Sequence, residues 1–223
     1  MTDTTGAFQG RQSWLWLAAL AAGASYMVAV VQGLDGGMDG PAIWAWKGAG
    51  VGLLALWAAV NARSRDGWWM AAVLACGALG DVLIDAVGLT AGALAFAAGH
   101  ALAIILYRRH RRVSLTPSQK ALAMLLPPAS AAIAALLVTG TADTMGVTLY
   151  AAIVGLMAAA AWVSRFTRYL TGLGAVLFVV SDLIIFARLG GRMDPQLASL
   201  LIWPLYFAGQ AMIARGVVRG LAE

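Results

Sequence analysis

Charge is what this sequence has least of. Only 11% of its 223 residues are Asp, Glu, Lys or Arg, 61% are hydrophobic, and the mean hydropathy is +0.81. A water-soluble domain of this length needs far more polar surface, so lipid is the solvent for most of the chain. Cysteine is nearly absent: Cys76 stands alone, which excludes an intrachain disulfide and leaves thiol redox chemistry without a partner. Histidine is limited to His100 and His110, with no HExxH pair, so metal binding fits poorly and no cofactor is expected. A glycine-rich phosphate loop after a strand and a GxSxG elbow are also missing. Lysine occurs twice against thirteen arginines, which with the abundant Ala and Gly suits a bacterial inner membrane.

The basic balance, with a pI near 9.9, does not point to nucleic acid. The fifteen basic residues fall in short clusters between apolar runs, with no basic stripe and no interleaved aromatics. Membrane topology accounts for them better. A hydrocarbon core of about 30 Å asks for roughly 20 apolar residues per helix, and the sequence supplies eight such runs. They lie near 14–32, 42–60, 67–88, 89–107, 120–139, 145–163, 170–189 and 197–218. The expected fold is therefore an all-α polytopic membrane protein with eight transmembrane helices. It forms one integral membrane domain over residues 1–223, with a short polar segment at 1–13.

Short connections separate the runs, among them "GLDGGMDGP", "NARSRD", "RRHRRVSLTPSQ" and "SRFTRY"; the third and fourth runs have only Gly88 and its neighbours between them. Trp14, Trp16, Trp44, Trp46, Trp68, Trp69 and Trp203 fall near run ends, as interfacial aromatics do. Twelve Lys and Arg residues gather on the side of the two termini, against Arg188 and Arg192 on the other, so both termini are expected to be cytoplasmic. A cleavable signal peptide is the competing reading of the first run. That run continues through "YMVAVVQGL", past a normal signal core, which favours a retained span. The pieces "LGDVLI" in the third run and "VSDLII" in the seventh hint at an internal repeat of four plus four helices.

Against this background the polar residues inside the runs stand out: Lys47, Asp81, Asp85, His100 and Asp182, with Ser181, Tyr206 and Gln210 as milder additions. An aspartate at a helix centre costs roughly 2.5–3.5 kcal/mol on insertion scales, so such residues face the bundle interior and commonly mark function. At about 1.5 Å per residue, Asp81 lies roughly 20 Å and Asp182 roughly 18 Å from the inner ends of their runs. On the same scale His100 is roughly 16 Å, Tyr206 roughly 14 Å and Lys47 roughly 8 Å from the outer ends. All fall between the midplane and the outer half, which predicts one polar cavity opening toward the non-cytoplasmic face. Each residue also has a plainer role. Lys47 can snorkel to the interface, Asp85 can cap its helix in water, His100 can be an interhelical hydrogen bond, and an aspartate can form a structural ion pair with Lys47 or His100.

The order of these residues carries a resemblance. "GDVLID" is followed by "AGALAFAAGHALAIILY" with Phe96, His100 and Tyr107, then by "LGAVLFVVSDLIIF" with Phe178, Ser181 and Asp182, then by "LYFAGQAMIARG" with Tyr206 and Gln210. With Lys47 and Tyr150, this order resembles the YhhN-like family of eight-span membrane proteins, which includes lysoplasmalogenases. Two departures are visible: Gly48 follows Lys47 where relatives tend to have proline, and Asp85 replaces an apolar residue.

The resemblance implies hydrolysis of the vinyl ether bond of a lysoplasmalogen to a fatty aldehyde and a glycerophospho-alcohol. Its partners would be a lysophospholipid substrate and membrane lipids, with no cofactor. Such cleavage asks for a carboxylic acid that keeps its proton near neutrality and a second carboxylate that supports the cation and activates water. Asp81 and Asp182 are the pair this implies. His100 and Tyr206 would position water or an oxygen of the headgroup, and Lys47 would hold the lipid phosphate. Tyr150, Ser181, Gln210 and Asp85 complete the candidate substrate-binding set.

Two other functions use the same residues. A proton-coupled transporter or channel would also carry intramembrane Asp, Lys and His, although Pro127, Pro128 and Pro204 are the only candidates for broken helices. An intramembrane aspartyl protease fits less well, because Ala78 stands where its GxGD signature needs glycine.

Overall fold

In the computed structural model, which describes residues 4–34 and 40–223 with side chains from residue 14, the expected helices are present. The fold is all-α. In chain order they are α1 (Thr4–Ser25), α2 (Met27–Val31), α3 (Pro41–Val60), α4 (Arg65–Ala86), α5 (Leu89–Arg109), α6 (Pro117–Leu137), α7 (Thr144–Val163), α8 (Leu173–Leu189) and α9 (Pro195–Ala222); a π-helical turn, Arg168–Gly172, leads into α8. Eight stretches are long and apolar enough to cross a membrane, α1 and α2 together making the first. The chain is an integral membrane protein. The middle of the "GLDGGMDGP" connection, residues 35–39, and the side chain of Arg11 lie outside the described residues.

Local chemistry sets the helix ends. Pro41, Pro117 and Pro195 open α3, α6 and α9 at positions whose N–H has no helical partner in any case. Ser64 caps α4 through the Gly67 amide, and Asp194 caps α9 through the Leu197 amide. Thr116 and Gln119 form a capping box at α6. The α4–α5 turn depends on Gly88, whose φ of +128° is open only to glycine at low cost. Helix α1 starts at Thr4, well ahead of the apolar run.

Helix α9 is central to the bundle, packed on α8, α3, α4 and the α1–α2 span. From α3 the chain continues through α4 and α5 to α7, each helix touching the next, and α7 meets α8. Helix α6 lies outside this ring against α7 and α8, and only 11% of its span is buried. The two segments that hinted at a repeat sit in α4 and α8, each packed against the helix that follows it.

Trp203 departs from expectation. It is 4% exposed, not interfacial, and its indole N–H donates to the Gly23 carbonyl at 2.8 Å. Burial of the indole needed an acceptor, and the carbonyl near the α1–α2 break supplies one. Trp14 and Trp68 do project outward.

On the face where α1 begins and α9 ends, three connections are bound together. Arg112 N–H donates to the Val163 carbonyl at 3.0 Å, and Arg165 N–H to the His110 carbonyl at 2.7 Å. His110 Nε2 faces Asp66 Oδ2 at 2.7 Å, and Arg165 Nε donates to His110 Nδ1 at 2.9 Å.

Candidate functional site

Within the bundle the intramembrane polar residues gather into two arms and a pair. The first arm joins α4 to α9. Tyr206 donates its hydroxyl to Asp81 Oδ2 at 2.9 Å, and the Gln210 amide donates to the Tyr206 oxygen at 3.4 Å. The second joins α8, α7 and α5. The Tyr150 hydroxyl interacts with the Asp182 carboxyl group and lies 3.4 Å from His100 Nε2. The Phe178 ring packs against both His100 and Tyr206, so the arms share one region. Asp81, His100, Asp182, Tyr206 and Gln210 are all at least nine-tenths buried.

Phe96 and Phe178 stand between the arms. Their rings pack edge to face at 6.0 Å; Phe178 lies 4.9 Å from His100 and 5.2 Å from Tyr206, and Phe96 lies 5.8 Å from Tyr206. Gly80 makes room for this arrangement. A Cβ at Gly80 would stand 2.6 Å from the Phe96 ring, closer than packed atoms approach. The "GD" of α4 is thus one device, the glycine admitting the ring beside which the aspartate sits.

The pair lies one helical turn from Asp81. Lys47 Nζ donates to both oxygens of Asp85, at 3.0 and 3.1 Å. The Asp85 side chain is 1% exposed and that of Lys47 10%. Neither plainer role holds: Lys47 does not snorkel outward, and Asp85 does not cap its helix in water. Each removes the need for the other to reach solvent. Ser181 is fully buried, but its hydroxyl donates to the Phe178 carbonyl of its own helix at 2.8 Å, which turns it away from the aspartates.

One atom in this site has no partner among the described residues. Asp182 Oδ2 is buried and makes no hydrogen bond. Leaving a polar group so costs about 1–3 kcal/mol, and charged groups more, so the atom invites either a proton or a visiting group. No group of three or more His, Cys, Asp or Glu side chains that could hold a metal occurs among the described residues.

The family model for YhhN matches residues 42–217. The chain belongs to the YhhN family. No curated protein and no solved structure matches it. The part matched to YhhN takes in both arms and the Lys47–Asp85 pair. The sequence order that resembles YhhN proteins does not display the partition made by Phe96 and Phe178, because ring packing between α5 and α8 is a tertiary relation. The signal that was available is the glycine: Gly80 next to Asp81 leaves a gap that some large side chain has to fill.

Proposed function

We propose that this YhhN protein is a lysoplasmalogenase-like hydrolase, cleaving the vinyl ether bond of a lysoplasmalogen or related lysolipid to a fatty aldehyde and a glycerophospho-alcohol. The observation that supports it most is the pairing of two buried carboxyl groups, each beside a phenol, one with an unpartnered oxygen. In this reading one of Asp81 and Asp182 enters the reaction as the acid. It gives its proton to the β-carbon of the vinyl ether, and the α-carbon and ether oxygen share the resulting positive charge. The other aspartate, ionised, supports that cation and takes a proton from water as the water oxygen bonds to the α-carbon. The hemiacetal then collapses. Its hydroxyl proton passes through the site to the departing glycerol oxygen, the C–O bond breaks, and the aldehyde is left.

Lys47 is assigned to the lipid phosphate as a point charge. Binding would exchange Asp85 for phosphate, or share Lys47 between the two. Both chain ends are assigned to the cytoplasm of a bacterial inner membrane, so the Lys47 side faces outward. The test is aldehyde release from purified protein given lysoplasmenyl-ethanolamine, with Asp81→Asn and Asp182→Asn measured alongside. The expected loss is about 10²-fold or more for each substitution. Aldehyde formation that survives both overturns the assignment.

A further inference from the structure

The face where α1 begins and α9 ends carries more positive charge than it neutralises. Its three connections between spans, residues 61–66, 108–119 and 164–169, hold eight arginines and one carboxylate, Asp66. That carboxylate is taken: Arg109 lies 3.3 Å from its Oδ1 and His110 2.7 Å from its Oδ2. Arg112 is spent on the scaffold. Its Nε donates to the Ser164 carbonyl at 2.7 Å, and a terminal nitrogen donates to the Phe166 carbonyl at 3.2 Å. Arg111 meets Ser164 in an isolated antiparallel bridge. With the two main-chain bonds between the same connections, these contacts lock the α5–α6 link to the α7–α8 link.

What the lock leaves over is a set of unmatched cations. The guanidinium groups of Arg108, Arg111 and Arg168 have no hydrogen bond and no ion pair among the described residues, and Arg165 engages His110 through Nε alone. They belong to one patch. The Arg111 N–H donates to the Arg108 carbonyl at 3.3 Å, the bridge sets Arg111 against the residue before Arg165, and Arg168 opens the π-helical turn just beyond. Sorting of topology asks only that such charges lie near span ends. It does not ask that two connections be fastened together beneath them. The level of the patch is marked by its neighbours: Tyr169, beside Arg168, is 76% exposed and Trp68 is 59% exposed, as amphipathic rings at the headgroup level are. The anions found at that level are lipid phosphates, which the planar fork of arginine meets with two bonds. A zwitterionic headgroup brings its own cation and adds nothing to the balance, whereas an anionic headgroup offsets the excess.

We propose that Arg108, Arg111, Arg165 and Arg168 form a binding site for an anionic phospholipid of the leaflet on the chain-end side. The site is separate from the buried carboxyl groups and does not rest on the vinyl ether reading. Its arginines stand on connections already bound to one another, so binding has no loop to order and loses little to conformational entropy. The bound lipid would add a second fastening across the junction of the α5–α6 and α7–α8 links. Those links end the helices that carry His100, Tyr150 and Asp182, so the lipid acts on the bundle through its frame.

Native mass spectrometry of the purified full chain tests the site without relying on activity. The protein is offered equal amounts of phosphatidylglycerol and phosphatidylcholine with the same acyl chains. Retention of phosphatidylglycerol is expected to exceed that of phosphatidylcholine about fivefold or more, the attraction of one arginine near an anionic headgroup being worth about that factor. Arg111→Gln with Arg168→Gln is expected to bring the ratio close to one. Arg108→Gln, a single change at an exposed position, serves if the double variant fails to fold, and is expected to lower the ratio several-fold. Arg192→Gln, an exposed arginine at the other end of the bundle, is expected to leave it unchanged. Equal retention of the two lipids by the native protein overturns the site. A preference that survives the glutamine variants, or that falls as far in Arg192→Gln, overturns its assignment to this patch. Displacement of the lipid by the same concentration of soluble glycerol phosphate overturns the lipid as the source of the phosphate.

Discussion

The hydroxyl of Tyr206 donates to Asp81 Oδ2 at 2.9 Å, joining α9 to α4 across 125 positions of sequence. A carboxylate held in this way has one oxygen fixed and the other aimed by the same bond. Tyr206→Phe removes the donor and keeps the ring against Phe96 and Phe178. On the proposed function, aldehyde release should fall about tenfold in kcat, with KM changed far less, because the bond orients the aspartate assigned to the reaction. Steady-state kinetics on the purified variant check this.

The Lys47–Asp85 pair has a different signature. Removing one partner leaves a buried charge uncompensated, which costs about 3–5 kcal/mol, whereas replacing both by apolar groups is often neutral. Lys47→Met and Asp85→Leu should each lower thermal stability in detergent, and the double variant should recover most of the loss. Activity should not recover with it. A double variant that is both stable and fully active would remove Lys47 from phosphate binding.

Gly80→Ala should be costly for so small a change. The added methyl meets the Phe96 ring, which is enclosed by His100, Phe178 and Tyr206. Overpacking of this kind costs about 1–3 kcal/mol. Phe96→Leu in the same chain should relieve part of it, and chemical denaturation of the single and double variants measures the coupling.

The loop clamp at the chain-end face gives an expectation that does not involve catalysis. His110 contacts both Asp66 and Arg165 from a third connection. His110→Leu removes both contacts and should lower thermal stability by about 1–3 kcal/mol, read from melting curves in detergent.

Topology is open to a direct check. Twelve Lys and Arg residues on the chain-end side against two on the other call for cytoplasmic termini. A fluorescent protein fused after Glu223 should fluoresce, and an alkaline phosphatase fused there should stay inactive. The reverse pattern would turn the Lys47 side toward the cytoplasm.

Much of this architecture was readable from the residues because lipid imposes a simple code. Apolar runs of the right length gave all eight spans, with ends within a few residues of those found. The candidate residues were legible for the same reason: an aspartate in hydrocarbon is conspicuous. What pattern could not supply was pairing. Asp85 looked shallow because its depth was counted along one helix, while its burial comes from Lys47 on another. Trp203 looked interfacial because tryptophan near a run end usually is; the acceptor that holds it inside belongs to Gly23, far away in sequence. Ser181 beside Asp182 looked like a partner, but side chains on successive positions of a helix point in different directions, and its hydroxyl turned back to Phe178.

The α1–α2 span lies before the stretch matched to the family, yet it is not an accessory. Trp203, one turn from Tyr206 on α9, is anchored to the Gly23 carbonyl, and the Phe207 ring fills the hollow that the missing side chain of Gly23 leaves. The first span is therefore the back wall against which the Tyr206 helix is seated. A chain begun at α3 would keep every polar residue of both arms and lose the surface that fixes their angle, so its chemistry would fail by misalignment, with no reacting group removed.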